Sequence, residues 1–279
     1  VTTMKTVILE YPFQLEDIPP TVIALGSFDG IHLAHEKLIQ TAVKIAHKKG
    51  FASAVMTFNP HPKEVIFGEK VNYLMSFTEK KKKLAKMGID ILYCIRFTKE
   101  IAAMSPKTFV EDFLIRLQAQ HVVVGFDFTY GYKAKGNVHT LLEDGDYRYG
   151  LTVIPKIEKA GEKVGSTQIR NLIRKGFVDQ VPDFLGHYYS TEVYVQSEQV
   201  KNINGKYTLQ ISPLTEYQIP LQGVYEVIIH LNQVKYYGSV RKVPNTNKVF
   251  QLEIETSIPN LPETLNITWI KRKDSLAAS

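Results

Sequence analysis

The chain has 279 residues, 44% of them hydrophobic, and a formal net charge of +6. That is enough apolar material for a sizeable core and, at this length, for two domains. Its single cysteine, Cys94, rules out an internal disulfide and any cysteine-rich zinc site, and fits a reducing cytosol. No apolar run approaches the roughly 20 residues of a membrane-spanning helix. The opening "VTTMKTVILE" lacks the apolar core of a signal peptide, with Met4 the expected natural start after Val1 to Thr3. A basic balance suits anionic ligands, nucleotides or nucleic acid among them, and equally a basic surface without a role.

In chain order, β-branched runs alternate with helical stretches up to about residue 185. "TVIALGS" (21–27) reads as a buried strand. "LAHEKLIQTAVKIAHKKG" then places Leu38, Ala42, Ile45 and Ala46 on one helix face, and Gly50 closes it. "FASAVMTF" (51–58) is a second strand. Ser76 and Glu79 stand at capping-box spacing, so a helix opens there, and the run Lys80 to Lys83 reads as its solvated face. "IDILYCIRF" is a third strand. "SPKTFVEDFLIRL" starts a helix with Ser105 as cap and Pro106 in its first turn. "HVVVGFDF" and "LTVIPKI" are the next strands, and "GSTQIRNLIRKG" is a short helix capped by Ser166 or Thr167. This alternation predicts an α/β domain with a mostly parallel, doubly wound sheet over residues 1–186. From 187 to 279 the pattern becomes strand after strand, with "NING" and "HLNQ" as hairpin turns and a polar tail at the end. It predicts a small antiparallel β-barrel.

The stretch behind the first buried strand, "GSFDGIHLAH" (26–35), holds the chemistry. Open α/β sheets bind ligands at the carboxyl ends of their strands. Gly26 and Gly30 let the backbone turn tightly, and the amides opening the next helix favour phosphate. His32 and His35, three apart, project from one helix face and can donate to phosphate oxygens as charge develops. A His-x-x-His pair also fits a metal site, though no third ligand stands nearby. A glycine-containing strand–turn–helix also occurs without function. The Gly-Lys-Ser/Thr ending of a P-loop is absent, and so is G-x-G-x-x-G.

The same ten residues resemble the G-x-F-D-G-x-H-x-G-H form of the nucleotidylyltransferase signature, as carried by prokaryotic FAD synthetases, the bifunctional riboflavin kinase/FMN adenylyltransferases. Three further segments match in order. "TFNPHPKEV" (57–65) resembles F-x-P-H-P; "VVGFDFTYGYKAKGN" (123–137) resembles V-G-x-D/N-F-x-F-G-x-x-x-x-G; "GSTQIRNLIRKG" (165–176) resembles S-S-T-x-I-R-x-x-L-x-x-G. Ala34 stands where the signature has its later glycine, Ser27 where Asn is common, Gly165 at the first Ser and Tyr130 at a Phe.

The resemblance implies a nucleotidylyltransferase fold and transfer of AMP from ATP to FMN, releasing pyrophosphate. It implies catalytic roles for His32, His35 and Arg170. ATP would be bound by Gly26, Ser27, Phe28, Asp29, Gly30, Ala34, Asp127, Ser166 and Thr167. FMN would lie against Asn59, Pro60, His61, Pro62, Phe128 and Tyr130, with His61 equally readable as structural. Mg²⁺ would arrive with the ATP phosphates, with Asp127 the candidate protein ligand. ATP and FMN are the expected partners, in the cytoplasm, without nucleic acid or membrane. Another nucleotidylyltransferase, using phosphopantetheine or nicotinamide mononucleotide, and a non-catalytic flavin or nucleotide sensor are the competing readings.

The second half resembles the riboflavin kinase barrel in "GVYEVIIHLNQVKYYGSV" (223–240), "FQLEIE" (250–255) and "TLNITWIKRK" (264–273), with Glu253 or Glu255 at the general base. The G-x-P-T-A-N stretch of active kinases has no counterpart in "KYTLQISPLTEYQIPLQG", and "RKVPNTNKV" stands where N-x-G-x-x-P-T is expected. The resemblance therefore implies a barrel without kinase activity, left to pack on the first domain or to join protomers into an oligomer.

Overall fold

A computed structural model describes residues 3–196, 200–201, 204–246 and 248–274. Asn202 and Ile203 of the expected "NING" turn, Ser197 to Gln199, Asn247 and the C-terminal tail lie outside the described residues. The chain forms two compact units. One holds the residues up to Val71 together with Phe77–Glu158, and the other holds Asn72–Ser76 with the residues from Lys159 onward.

The first unit is built on a six-stranded sheet: β1 (Lys5–Leu9), β2 (Thr21–Leu25), β3 (Ala52–Asn59), β4 (Ile91–Arg96), β5 (Ala119–Gly125) and β6 (Gly150–Ile154). Their spatial order is β1-β4-β3-β2-β5-β6 and every pairing is parallel, as the alternation predicts. All five residues of β2 are buried, because helices cover both faces of a parallel sheet. Strand order reverses around β2, with β3 on one side and β5 on the other, so the switch point at which such sheets bind ligands lies at the carboxyl end of β2. Helix α1 (Leu33–Lys49) packs on β2, β3 and β5 through Leu38, Ile39, Ala42 and Ala46, and ends at Gly50 in the left-handed region (φ 69°). Ile45, expected on that face, is half-buried. Two further helices are α2 (Pro62–Phe67) and α3 (Phe77–Lys86). Ser105 caps the next helix by accepting the Thr108 N–H, with Pro106 in its first turn. It continues through a π-helical turn, Val110–Ile115, that seats Phe113 and Leu114 in the core. β5 stops at Gly125, and "FDF" leaves the sheet as a loop, shorter than the expected strand.

In the second unit, helix α4 (Ser166–Lys175) is followed by β7 (Ser190–Val195), β8 (Tyr207–Pro213), β9 (Val224–Leu231), β10 (Val234–Lys242), β11 (Phe250–Ile254) and β12 (Thr264–Arg272). Antiparallel pairings run β7-β12-β9-β10-β11-β8, and β8 pairs back to β7, closing a six-stranded barrel. Closure leaves no edge strand within the ring. Period-two alternation points Tyr225, Val227 and Ile229 of β9 and Leu265, Ile267 and Trp269 of β12 inward. Asn232 and Gln233 (φ 49° and 66°) form the two-residue turn expected at "HLNQ". Helix α4 differs from its expected start. Its N-cap is Gly165, which has no side chain to offer, while Ser166 and Thr167 sit inside the first turn.

Candidate functional site

The turn from Gly26 to His32 is tightly coiled. Phe28 (φ 49°), Gly30 (φ 84°) and Ile31 (φ 45°) are all left-handed, a conformation that costs a non-glycine residue on the order of 1 kcal/mol or more. Burial holds it, since Phe28 and Ile31 are fully buried and Asp29 nearly so. Gly26 is needed because the Phe28 ring folds back over it. A Cβ there would stand 3.2 Å from the ring.

Polar groups clamp the same turn from below. The Ser27 carbonyl accepts from the Thr57 hydroxyl (3.0 Å) and from the Lys80 ammonium (2.7 Å). The Ile31 carbonyl accepts from Lys83 Nζ (2.9 Å), which also pairs with Glu36 (2.9 Å). This corrects the reading of Lys80 to Lys83 as a solvated face. Lys82 is exposed, but Lys80 is only 8% exposed and Lys83 is partly buried. The i, i+3 spacing puts both under the turn. Burial lowers the Lys80 pKa, opposed by the nearby Asp29 carboxylate and the Cys94 thiol.

His32 is the N-cap of α1. Its Nδ1 accepts the His35 backbone N–H at 3.2 Å, which commits the proton of a neutral ring to Nε2. The two imidazoles stack with centroids 3.6 Å apart and planes 15° apart, and the edge of the pair meets Phe28, whose ring lies 5.2 Å from His35. Burial drives the His35 pKa well below its ordinary value, and His32, Lys80 and Lys83 push it the same way. His35 Nδ1 is a buried polar atom without a hydrogen-bond partner in the chain. His35 thus presents a ring held neutral by burial and by the cationic groups around it. With one His32 nitrogen spent on the cap, a chelating role for the pair is disfavoured. Among the described residues no group of three His, Cys, Asp or Glu side chains is placed to hold a metal.

The loops after β3 and β5 leave the same edge of the sheet on either side of β2. After β3, a cis Asn59–Pro60 bond leads into His61, which caps α2 by accepting the Lys63 N–H (3.2 Å), with Pro62 as the first helical residue. After β5, Asp127 is exposed and Phe128 half-buried. An aromatic chain supports both loops: Phe58 lies 6.4 Å from Phe109, Phe109 lies 5.8 Å from Tyr130, and Tyr130 stacks on Phe128 at 5.8 Å. Tyr130 is buried, its hydroxyl held by Asp144 and Thr140, so it backs Phe128 from within the core. Burial, then Asp144, raises its pKa.

Ser166, Thr167 and Arg170 belong to the second unit. The first two open α4, whose leading amides suit an anion, and Ala34 sits in the corresponding first turn of α1. Arg170 Nε donates to the Asn72 carbonyl at 2.8 Å, tying α4 to the segment 72–76. Thr57, Lys80 and Lys83 were absent from the sequence-derived set. Thr57 opens the segment 57–65, and the only sequence signal of the two lysines is their three-residue spacing inside the lysine run.

The sequence profile of the FAD synthetase family matches residues 14–168, which takes in the turn, the β3 and β5 loops and the start of α4. The chain belongs to the FAD synthetase family. Curated relatives agree. A bifunctional riboflavin kinase/FMN adenylyltransferase of Listeria monocytogenes serovar 1/2a is 37% identical, over 84% of this chain and 76% of that protein. A protein of the same description from Bacillus subtilis is 35% identical over the same shares. A Listeria protein described as FAD synthetase is 32% identical over 76% of this chain and 82% of its own length. Among solved structures, one described as a macrolide-efflux protein from Streptococcus pneumoniae superposes with a TM-score of 0.85 at 25% identity, over 99% of this chain and 93% of that one. Among the described residues here, no helix is long and apolar enough to cross a membrane.

Proposed function

We propose that this FAD synthetase transfers the AMP of ATP to FMN at the switch point beyond β2, with His32 and His35 as the catalytic pair. The observation that carries this reading is the stacked histidine pair, set behind a left-handed turn and beside two lysines. An oxygen of the FMN phosphate attacks the α-phosphorus of ATP in line. The new P–O bond joins the two nucleotides as the bond to the β-phosphate breaks, and pyrophosphate leaves. No protein nucleophile takes part, so the chain contributes position and charge stabilisation. His32 Nε2–H donates to the polyphosphate, and the unpartnered His35 nitrogen is supplied for a second bond. The backbone of Gly26 to Gly30 and Ala34 lies along the nucleotide, while buried Phe28 sets the His35 ring. Ser166, Thr167 and Arg170 hold the β- and γ-phosphates, Arg170 by its planar fork. Asn59 to Pro62 and Phe128 lie along the isoalloxazine, with Tyr130 supporting Phe128.

Asp127 fits a magnesium ion in the way such ions bind nucleotides, through one carboxylate and the phosphates rather than an all-protein cage. Bound there, the ion supplies neutralisation of the polyphosphate charge.

The adenylyltransferase domain spans residues 1–186 and the kinase-like barrel 187–279, and the enzyme works in the cytoplasm. The barrel carries no riboflavin kinase activity and is left to pack on the first domain or to join protomers. The missing glycine-rich Thr–Asn stretch and the missing N-x-G-x-x-P-T stretch support this, because a base at Glu253 or Glu255 without a phosphate cradle transfers nothing at a useful rate. The test is incubation of the full chain with ATP, Mg²⁺ and FMN, then chromatography. FAD is expected, and its absence overturns the reading.

A further inference from the structure

We infer that Lys80 is a positioning residue for adenylyl transfer: from α3 it locks the Ser27 carbonyl and so holds the left-handed turn that aims His32 and His35. The inference rests on the proposed reaction and goes beyond it, since Lys80 spends its ammonium on the backbone of the turn.

Four observations converge on it. The ammonium is buried, which is costly for a lysine without charged or polar compensation. Its compensation comes from the turn itself, the Ser27 carbonyl at 2.7 Å and the neighbouring Asp29 carboxylate. The clamped carbonyl immediately precedes Phe28, the first left-handed residue, so the bond fixes the chain where it leaves the extended path of β2. Phe28 in turn meets the His35 ring edge-on. A displaced Ser27 carbonyl therefore displaces Phe28 and then the histidine stack. Lys80 also adds to the positive field at His35. The lysine thus serves the geometry and the electrostatics of the pair together, whereas Thr57, the other donor to the same carbonyl, is neutral.

The test compares Lys80→Met, which removes donor and charge at similar length, and Lys80→Gln, which keeps a shorter neutral donor, with wild type. Lys82→Met, on the exposed part of the same helix, is the control. Steady-state FAD formation is measured with varied ATP, beside the His35 titration by carbon-13-edited NMR of ring-labelled histidine. Lys80→Met is expected to lower kcat at least tenfold with a smaller change in KM for ATP. Both Lys80 variants are expected to move the His35 titration upward, which a purely structural loss elsewhere would not do. If Lys80→Met does not fold, the Gln variant carries the decision. Wild-type kcat and an unmoved His35 titration in a folded Lys80 variant overturn the inference. Absence of FAD formation by the wild-type chain overturns the reaction it rests on instead.

Discussion

The His32 and His35 rings stack 3.6 Å apart while His32 Nδ1 accepts the backbone N–H of His35. One side chain therefore starts the helix that carries the other and also fixes its own tautomer. The proposed reaction asks this capping residue for a catalytic contact as well, and the two roles separate by substitution.

His32→Ala loses the cap and the phosphate donor, so it should cost about 1 kcal/mol of stability as well as turnover. His32→Asn keeps a good cap and loses only the imidazole. Both variants, and His35→Ala, should lower kcat for FAD formation by about 10²–10³-fold. FMN affinity, followed by flavin fluorescence, should change far less. Near-normal turnover in His32→Asn and His35→Ala would remove the pair from the mechanism.

Stability should fall on acidification. The His35 pKa is depressed in the folded chain, so below the ordinary value of 6.5 the unfolded chain binds a proton that the folded chain resists. The contribution is fully lost only once pH drops below the depressed folded value, and at its steepest it changes by about 1.4 kcal/mol per pH unit. His121, lowered by burial and then by Lys49, acts in the same direction. Urea denaturation from pH 7.5 to 5 should show the decline in wild type and a shallower one in His35→Gln. Equal slopes would contradict a neutral, buried His35.

Gly26→Ala places a methyl 3.2 Å from the fully buried Phe28 ring, which has little room to retreat. The expected cost is about 1–2 kcal/mol, with a fall in kcat as the ring and His35 shift together. Ala34→Gly is the opposite case. It lies in the first helical turn, so it should cost at most about 1 kcal/mol and leave ATP affinity equal or tighter. Urea unfolding and steady-state FAD formation read Gly26→Ala, and calorimetric titration with a non-hydrolysable ATP analogue reads the affinity of Ala34→Gly. A large loss of affinity in Ala34→Gly would show that the methyl makes a needed contact.

Riboflavin, ATP and Mg²⁺ supplied to the full chain should give no FMN, while supplied FMN becomes FAD. Chromatographic detection of FMN, or of FAD made from it, when riboflavin is the only flavin supplied would restore kinase activity to the barrel.

Within the barrel, Gly238→Ala should destabilise by about 3 kcal/mol. The added Cβ would come 2.3 Å from the Glu253 backbone oxygen of the adjacent strand. Thermal unfolding followed by Trp269 fluorescence checks this, because Trp269 lies inside the same barrel.

Local signals carried much of this molecule. The fully apolar "TVIAL", the 3.6-residue spacing of Leu38, Ala42 and Ala46, and the glycine at position 50 act through neighbours a few residues away. Backbone period and turn chemistry are therefore enough to read the parallel sheet, α1, the "HLNQ" hairpin and the tight turn before α1. Long-range placement was not readable in the same way. Lys80 and Lys83 looked like any solvated lysine run, because nothing in their own composition distinguishes a charged helix face in water from one lodged under carbonyls some fifty residues earlier in the chain. Ser166 and Thr167 carry cap chemistry, yet the N-cap falls one residue sooner, at Gly165. Tyr130, an expected flavin contact, is buried with its hydroxyl held by Asp144 and Thr140, a setting its own sequence neighbours do not signal. The β7–β8 pairing that closes the barrel likewise depends on where two strands meet once the whole sheet has curled. Periodicity states which face of an element is apolar. Which polar groups then meet across the fold is decided by packing, because burial changes the energy of a charge or hydroxyl by more than any local preference does.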